Sequence, residues 1–356
     1  MPSDPNSDSH TNTPAIIPMQ SVGPLSMDTG EERFEVMVPL ATYETPLWPS
    51  VNRGARVTAK SGGIQSVLIR EHMARSIAIE TDSARISADI AAQLQARISD
   101  LQQVTETTSR FCKLLDIFPN LIGNQLFLRL EYQTGDASGH NMVTKASDAL
   151  LSWILETFPA ARYVSISGNM CTDKKVSAIN AIRGRGKHIV ADCLIPEKLV
   201  NRYLKTDAVR MERLNTRKNL LGSIAAGSLM SANAHAANML LGVYLATGQD
   251  AANIVEGSQC ITFIEARDGD LYISVTMPNL IVGAIGNGKG LDFVRENLAQ
   301  LGCTQNDVDA GTNSRRLAHV IAGTVLCGEL SLLAAQTNPG ELMAAHLRLE
   351  RKQDDT

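Results

Sequence analysis

The stretch SGNMCTDKKVSAIN sets Asp173, Lys174 and Lys175 in consecutive positions, between a predicted strand ending at Ser167 and a helix predicted from about Val176. Helix N-termini favour anions. Paired lysines there suit a site that receives a carboxylate or phosphate, although a solvated basic turn has the same spacing. Thr172 or Asp173 is the expected cap of that helix. GAIGNGKG, residues 283–290, lies between strand-like LYISVTM and helix-like LDFVRENLAQL. In that context backbone amides can cradle a phosphate; a plain flexible turn fits equally, since neither usual phosphate-loop pattern is met. NAHAAN places His235 and Asn238 on one helical face, where a histidine is ordinarily a hydrogen-bonded core residue; GQD then ends the apolar helix at Asp250. Glu44 stands among Pro46, Trp48 and Pro49. Pressed against apolar neighbours, its carboxyl would carry a proton near neutral pH; the alternative is a surface glutamate in a rigid turn.

These groups need elements to hold them. From Ser76 to Ser167 the periodicity runs strand (SIAIE), helix (ISADIAAQLQARI), strand (QLFLRLEYQ), helix (VTKASDALLSWILETF), strand (RYVSIS). That order predicts a small α+β module of split βαβ, ferredoxin-like type. It is flanked by strands HIVADCLI, CITFIEA and DLYISVTM and by two helical patterns that close the chain, SRRLAHVIAGTVLCGELSLLAAQ and GELMAAHLRLERK. The predicted organisation is therefore a tail at 1–15, a small module at 76–167, and a large mixed helix/sheet domain made of 16–75 and 168–356.

Composition limits the alternatives. With 356 residues, 44% hydrophobic and 20% charged, the chain is long enough for two cores and is neither disordered nor membrane-embedded in composition. A net charge of -4 argues against general nucleic-acid binding, which needs a basic face. Six scattered cysteines without C-x-x-C spacing suit reduced cytoplasmic thiols and predict no metal site. The polar start MPSDPNSDSHTNTP has no apolar signal region. Residues 219–249 carry no formal charge and are long enough to span a bilayer, but Asn219, Ser223, Ser228, Ser231, Asn233, His235 and Asn238 interrupt them. The expectation is a buried small-residue segment at a domain or subunit interface, in a soluble protein with no membrane partner.

Taken in order, VPLATYE, SVNRG, GDASGHNM, SGNMCTDKK, GRGK, KNLLGS, NAHAAN, GQDAAN and DLYISVTMP resemble the class I 3-hydroxy-3-methylglutaryl-coenzyme A (HMG-CoA) reductases, from about Ile16 to Arg351. The resemblance implies an NADPH-dependent, four-electron reduction of HMG-CoA to mevalonate and free coenzyme A. It implies catalytic roles for Lys174, Glu44, Asp250 and His346, the last protonating the departing thiolate. It implies substrate contacts from Arg75, Ser167, Asp173, Lys175, Lys218, His235 and Asn238. For the dinucleotide it implies Asp136, Ser138, Gly139, His140, Asn141 and Met142, joined by Gly286 and Gly288, with Ser109, Arg110 and Arg351 at the 2′-phosphate. Ser138 and His140 depart from the family's D-A-M-G-M-N-M, replacing methionines. Self-association as a homodimer or homotetramer with shared active sites is also implied. The competing readings are the same reaction run oxidatively on mevalonate and a non-catalytic acyl-CoA or nucleotide binder; a hydrolase would need a G-x-S-x-G elbow that the chain lacks.

Overall fold

The computed structural model describes residues 15–341, 343, 344 and 347; His346 and Arg351 lie outside the described residues. β1 (Met19–Asp28) and β2 (Arg33–Ala41) pair antiparallel, and α1 (Leu47–Lys60) follows, burying Leu47, Trp48, Val51, Ala55 and Val57 at helical spacing. The next element organises the molecule. β3 (Ile64–Glu80) is 17 residues long and serves two sheets in succession. Its first half pairs with β1 and, antiparallel from Gln65 to His72, with β7 (Gly186–Ile195); its second half, from Met73, pairs with β5 (Gln125–Gln133) and β6 (Arg162–Ser165).

The first sheet continues through β9 (Asp270–Leu280) to β8 (Ile261–Arg267), in the order β2-β1-β3-β7-β9-β8. The second runs β6-β3-β5-β4 with every pair antiparallel, which is the split βαβ order. Here the predicted element list was one strand short. β4 (Lys113–Ile122) contains Asp116 and Pro119, residues that argue against a central strand; it pairs only with β5, and an edge strand tolerates both. α2 (Ala84–Ala96), α3 (Ile98–Glu106) and α4 (His140–Thr157) complete this module, and Ser83 caps α2 by accepting from the Ile86 amide. Met73, Ile77, Leu94, Leu128 and Leu150 belong to its core, while Ile64, Ile189, Ile273 and Leu326 belong to the other, so the two cores divide along β3.

The remaining helices are α5 (Ala178–Arg183), short turns α6 (Glu197–Leu199) and α7 (Ala208–Leu214), a π-helical segment Asn215–Gly222, α8 (Ser223–Ala225), α9 (Ala236–Ala246), α10 (Ile254–Gly257), α11 (Asp292–Gln300) and α12 (Thr312–Gln336). Among the described residues α12 is the one helix long and apolar enough to cross a membrane, and 94% of its apolar window is buried inside the protein. The uncharged 219–249 segment divides into two parts. α9 is buried, but Leu221, Ile224, Leu229 and Met230 are exposed by 57%, 74%, 42% and 45% in the single chain.

α1 crosses α12 at Gly54, where an added Cβ would overlap the Cys327 carbonyl. Neither helix can move away, since both lie in the same close-packed core. Gly54→Ala is therefore expected to lower stability by about 1–3 kcal/mol, read as an earlier urea midpoint at unchanged slope.

Candidate functional site

Two loops meet where the small module abuts the large sheet. The DASG loop and the glycine loop after β9 touch through an Ala137–Ile285 bridge, the Ala284 amide donates to the Asp136 carbonyl at 2.8 Å, and a Cβ on Gly283 would overlap the Ser138 amide. The Asp136 side chain faces elsewhere: its oxygens accept from the amides of Ser314 (2.8 Å) and Gly311 (3.1 Å), capping α12 across the module boundary. Gly139 has φ 96° and opens α4, so His140, Asn141 and Met142 form that helix's first turn. Together these segments line a cavity of about 510 Å³, whose walls also include Arg75, Asp173, Lys174, Arg185, Asp250, Gly286 and Lys289.

Lys174 Nζ lies 2.8 Å from Asp250 Oδ2. That bond raises the lysine pKa; burial pushes Asp250 up, but the bonds from Lys174 and the Ala252 amide outweigh it and hold the carboxyl low. Both groups stay charged at neutral pH. The lysine reaches this position through a strained loop, with Asn169, Thr172 and Lys174 all at positive φ. What holds the loop is buried. Glu256 Oε1 accepts from the Lys174 amide (3.0 Å), Arg185 Nη1 (2.8 Å) and Asn253 Nδ2 (3.0 Å), while Arg185 Nη2 also bonds Asp173 Oδ1 at 3.0 Å. Glu256 and Arg185 are 0% and 1% exposed. Burial pushes the Glu256 pKa up, against the opposing pull of the Lys174 amide and then of the Arg185 guanidinium.

The loop corrects a local expectation: Ser177, not Thr172 or Asp173, caps α5, with Thr172 Oγ1 bonded to the Ser177 hydroxyl at 2.8 Å. Lys175 is exposed and donates to the Asp173 carbonyl. Ser167 follows β6 in a turn where its amide donates to Ser165 Oγ. Arg75 comes off β3, and its Nε is buried without a hydrogen-bond partner among the described residues, an unspent donor in the cavity wall. Lys289 donates to the Gly248 carbonyl at 2.6 Å, and burial draws its pKa down to about 8.

The structure does not bring Glu44 to Lys174 within one chain. Glu44 precedes α1, is exposed rather than pressed against apolar groups, and accepts from Asn238 Nδ2 at 2.8 Å. His235 occupies the N-cap position of α9, without a side-chain capping bond, rather than riding on its face. Its Nε2–H donates to the Gly328 carbonyl (3.0 Å), which leaves Nδ1 to face Asn238. Glu329 accepts from the amides of Ala234 and His235 and lies near Lys218, whose pKa burial lowers and Glu329 raises. Glu44, His235 and Asn238 line a separate cavity of about 400 Å³ with Arg53 and Ser331. From Asn238 to the end of α9 at Ala246 the helix rises roughly 12 Å, and that length separates this cluster from the Asp250 end.

Ser109 and Arg110 occupy the α3–β4 turn, outside the large cavity's lining, with Arg110 over the Phe111 ring. Lys145 of α4 donates to the neighbouring Thr108 carbonyl and links that turn to the helix that His140 begins. Arg185, Asn253, Glu256 and Lys289 were not singled out from the sequence. Arg185 had one local signal, its place between two glycines that both adopt positive φ; the buried Glu256 had none.

Comparison with known proteins follows from this geometry. A family model described as hydroxymethylglutaryl-coenzyme A reductase matches residues 12–351. The chain is 44% identical over 336 residues to the 3-hydroxy-3-methylglutaryl-coenzyme A reductase of Aeropyrum pernix, covering 94% of this chain and 79% of that one. The reductase of Pyrococcus horikoshii is 43% identical, with coverages of 90% and 78%, and reductase 1 of Oryza sativa subsp. japonica is 43% identical, with 95% and 64%. Among solved structures, the class II reductase of Streptococcus pneumoniae bound to NADPH in open conformations superposes at TM-score 0.73 and 16% identity, over 93% of this chain and 78% of that one. At that identity the likeness is one of fold.

Replacing Glu256 by Gln removes the buried counter-charge of Arg185 and leaves it the partly exposed Asp173 carboxylate. Loss of one partner of a buried pair costs about 3–5 kcal/mol. Denaturant unfolding of Glu256→Gln should show a loss of that order, and limited proteolysis should cut the 169–177 loop that the native protein protects.

Proposed function

The chain belongs to the hydroxymethylglutaryl-coenzyme A reductase family, and from that premise we propose how its own residues carry out the reduction of HMG-CoA to mevalonate and coenzyme A. The observation that carries the reading is the Lys174–Asp250 pair in the wall of a cavity that also holds the α4 N-terminus and the glycine loop. The cavity fits a dinucleotide: Gly286 sits at φ 101° with open space where a side chain would stand, so the loop backbone can approach a phosphate. Asn141, Met142 and the backbone of Ser138 and Gly139 would hold the nicotinamide end, and Ser109 and Arg110, with Lys145 beside them, the 2′-phosphate. Two NADPH molecules, bound there in succession, would supply one hydride each.

Lys174 presents an ammonium to the substrate carbonyl. As negative charge develops on that oxygen, first at the thioester and then at the aldehyde, a cation already fixed by Asp250 stabilises it without reorganising. Asp173, Lys175, Arg75 and Ser167 bind the carboxylate and hydroxyl of the substrate. Collapse of the hemithioacetal releases a thiolate, and His346 returns a proton to it; a thiol near 8.5 takes a proton readily from an imidazolium near 6.5.

Glu44, which handles the proton of the carbonyl reduction, stands a helix length away from Lys174 in the same chain. We therefore assign the complete site to two copies, Lys174 and Asp250 from one and Glu44, His235, Asn238 and Lys218 from another, in a homodimer or homotetramer. The exposed Leu221, Ile224, Leu229 and Met230 supply apolar surface for that contact. The class I form is favoured by identities of 41–44% to the archaeal relatives against 16–17% to the Streptococcus pneumoniae structures, one of which is described as class II. A soluble, cytoplasmic enzyme is supported by the core position of α12 and by six buried, unpaired cysteines.

The direct test follows NADPH absorbance with HMG-CoA. Two NADPH should be consumed for each mevalonate formed, and Lys174→Ala should lower kcat by about 10²-fold or more, the usual loss when an oxyanion donor is removed; no HMG-CoA-dependent oxidation by the native protein rejects the reading. Site sharing has its own assay. Lys174→Ala and Glu44→Ala, each inactive alone, should regain up to about a quarter of native activity per mixed dimer population after subunit exchange, and no recovery after verified exchange means each chain works alone.

A further inference from the structure

His140 is a titratable group that the reduction described above does not use. Its ring lines the large cavity, yet Nε2 is shielded from solvent and has no hydrogen-bond partner among the described residues. The nearest acceptor is Asp173 Oδ1, 3.8 Å away, and on the other side of the ring Nδ1 faces Ser138 Oγ at 3.4 Å. Both separations exceed a good hydrogen bond by a few tenths of an ångström. The ring is suspended between two partners and held firmly by neither.

The surroundings decide which nitrogen carries the proton. A Ser138 hydroxyl can donate to Nδ1, whereas Asp173, an anion, favours N–H at Nε2. Burial and the facing cations Arg185 and Lys174 bring the His140 pKa down to about 4 against the pull of Asp173 and Asp250. The imidazole is neutral at physiological pH and works through one N–H. Its two anchors belong to different parts of the site. His140 is the first residue of α4, fixed by Gly139, where a Cβ would collide with Thr134. Asp173 belongs to the 169–177 loop and is held from behind by Arg185 at 3.0 Å and Asn253 at 3.4 Å.

We propose that His140 is a positioning residue that couples the two ligand sites: its Nε2–H closes onto Asp173 when cofactor settles α4 and substrate settles the loop, so that each ligand tightens the other. This rests on the reductase reading. A closure of less than about 1 Å satisfies a buried donor that otherwise has no partner among the described residues, and because Arg185 already shares the carboxylate the new bond is worth no more than an ordinary hydrogen bond, shifting an equilibrium by about two- to ten-fold. By linkage the factor is the same in either order of binding.

NADP+ and HMG-CoA cannot react with each other, so their ternary complex is measurable by calorimetry on the full-length protein. Saturating HMG-CoA should lower the native Kd for NADP+ by about three- to ten-fold, and the reverse experiment should return the same factor. His140→Met fills the volume without a donor and should reduce the factor to about one, whatever change it makes to the Kd for NADP+ alone. His140→Gln keeps an N–H and should retain part of the coupling, which also guards against a variant that merely folds badly. Adding Asp173→Asn to His140→Met should remove no further coupling. Full coupling in His140→Met, no coupling in the native protein, or equal weakening of NADP+ with and without HMG-CoA would overturn the assignment. Failure of the native protein to bind HMG-CoA at all would instead reject the reductase reading on which it stands.

Discussion

The site depends on one buried contact, the Arg185–Glu256 pair, because it alone reconciles a strained loop with a fixed lysine. Lys174 must sit at positive φ to aim its ammonium at Asp250, and a non-glycine residue pays about 1–3 kcal/mol for such a conformation. Glu256 returns the loss by accepting the Lys174 amide, and Arg185 makes that acceptor an anion while reaching past it to Asp173. A charge-assisted bond to a backbone amide contributes about 1.5–3 kcal/mol, comparable to the strain. Neither ion would be tolerated in the core without the other. The pair therefore sets the direction of the Lys174 cation, Glu256 from within the core and Arg185 from the cavity wall.

The same economy governs how the two modules are joined. β3 passes from one core to the other without a break, so the small module cannot swing freely about a flexible linker. Asp136 adds a second tie by capping α12, where a carboxylate complements the helix dipole as well as two orphan amides. Gln249 adds a third: its side-chain amide both donates to the Gly283 carbonyl and accepts from the Gly283 amide, each at 3.0 Å. Asp250 is the next residue. The glycine loop, the carboxylate that holds Lys174 and the start of α4 are thus set by one continuous hydrogen-bonded frame, which leaves sub-ångström adjustments such as the His140–Asp173 gap as the motion available to it.

How much of this was legible before the fold is a question of range. Helical and strand periodicity placed α2, α4, β5, β7, β9 and α12, since each buries a face whose period shows in the sequence. β4 escaped because its proline and aspartate are harmless only on an edge, and an edge is a property of the sheet rather than of the strand. Lys174 and the glycine loop stood out locally as places that could receive an anion, with plain turns as the alternative, and Asp250 drew its role from the family resemblance alone; the structure sets them around one cavity. Glu256 and Asn253 did not stand out, since a carboxylate that will be buried beside an arginine 71 positions away looks like any other glutamate. The environment of Glu44 failed for a related reason: Trp48 turns inward to donate to the Leu40 carbonyl and Pro46 is buried, which leaves the glutamate outside the apolar cluster that its neighbours in sequence suggested.

α9 explains why a single chain presents two partial sites rather than one whole one. A helix packed into the core along most of its length holds its ends apart as a spacer between Asn238 and Asp250. Under the proposed sharing, that spacing is useful: the same spacer that separates Glu44 from Lys174 within a chain fixes their offset for a neighbour related by two-fold symmetry, so two sites form at once or not at all. Burial of Leu221, Ile224, Leu229 and Met230 on association then supplies free energy that an isolated chain lacks, while polar residues around them keep the unpaired surface tolerable in water. Activity becomes linked to protomer concentration by mass action, and the reactive cation and its proton donor are kept in separate surroundings until a second copy brings them together.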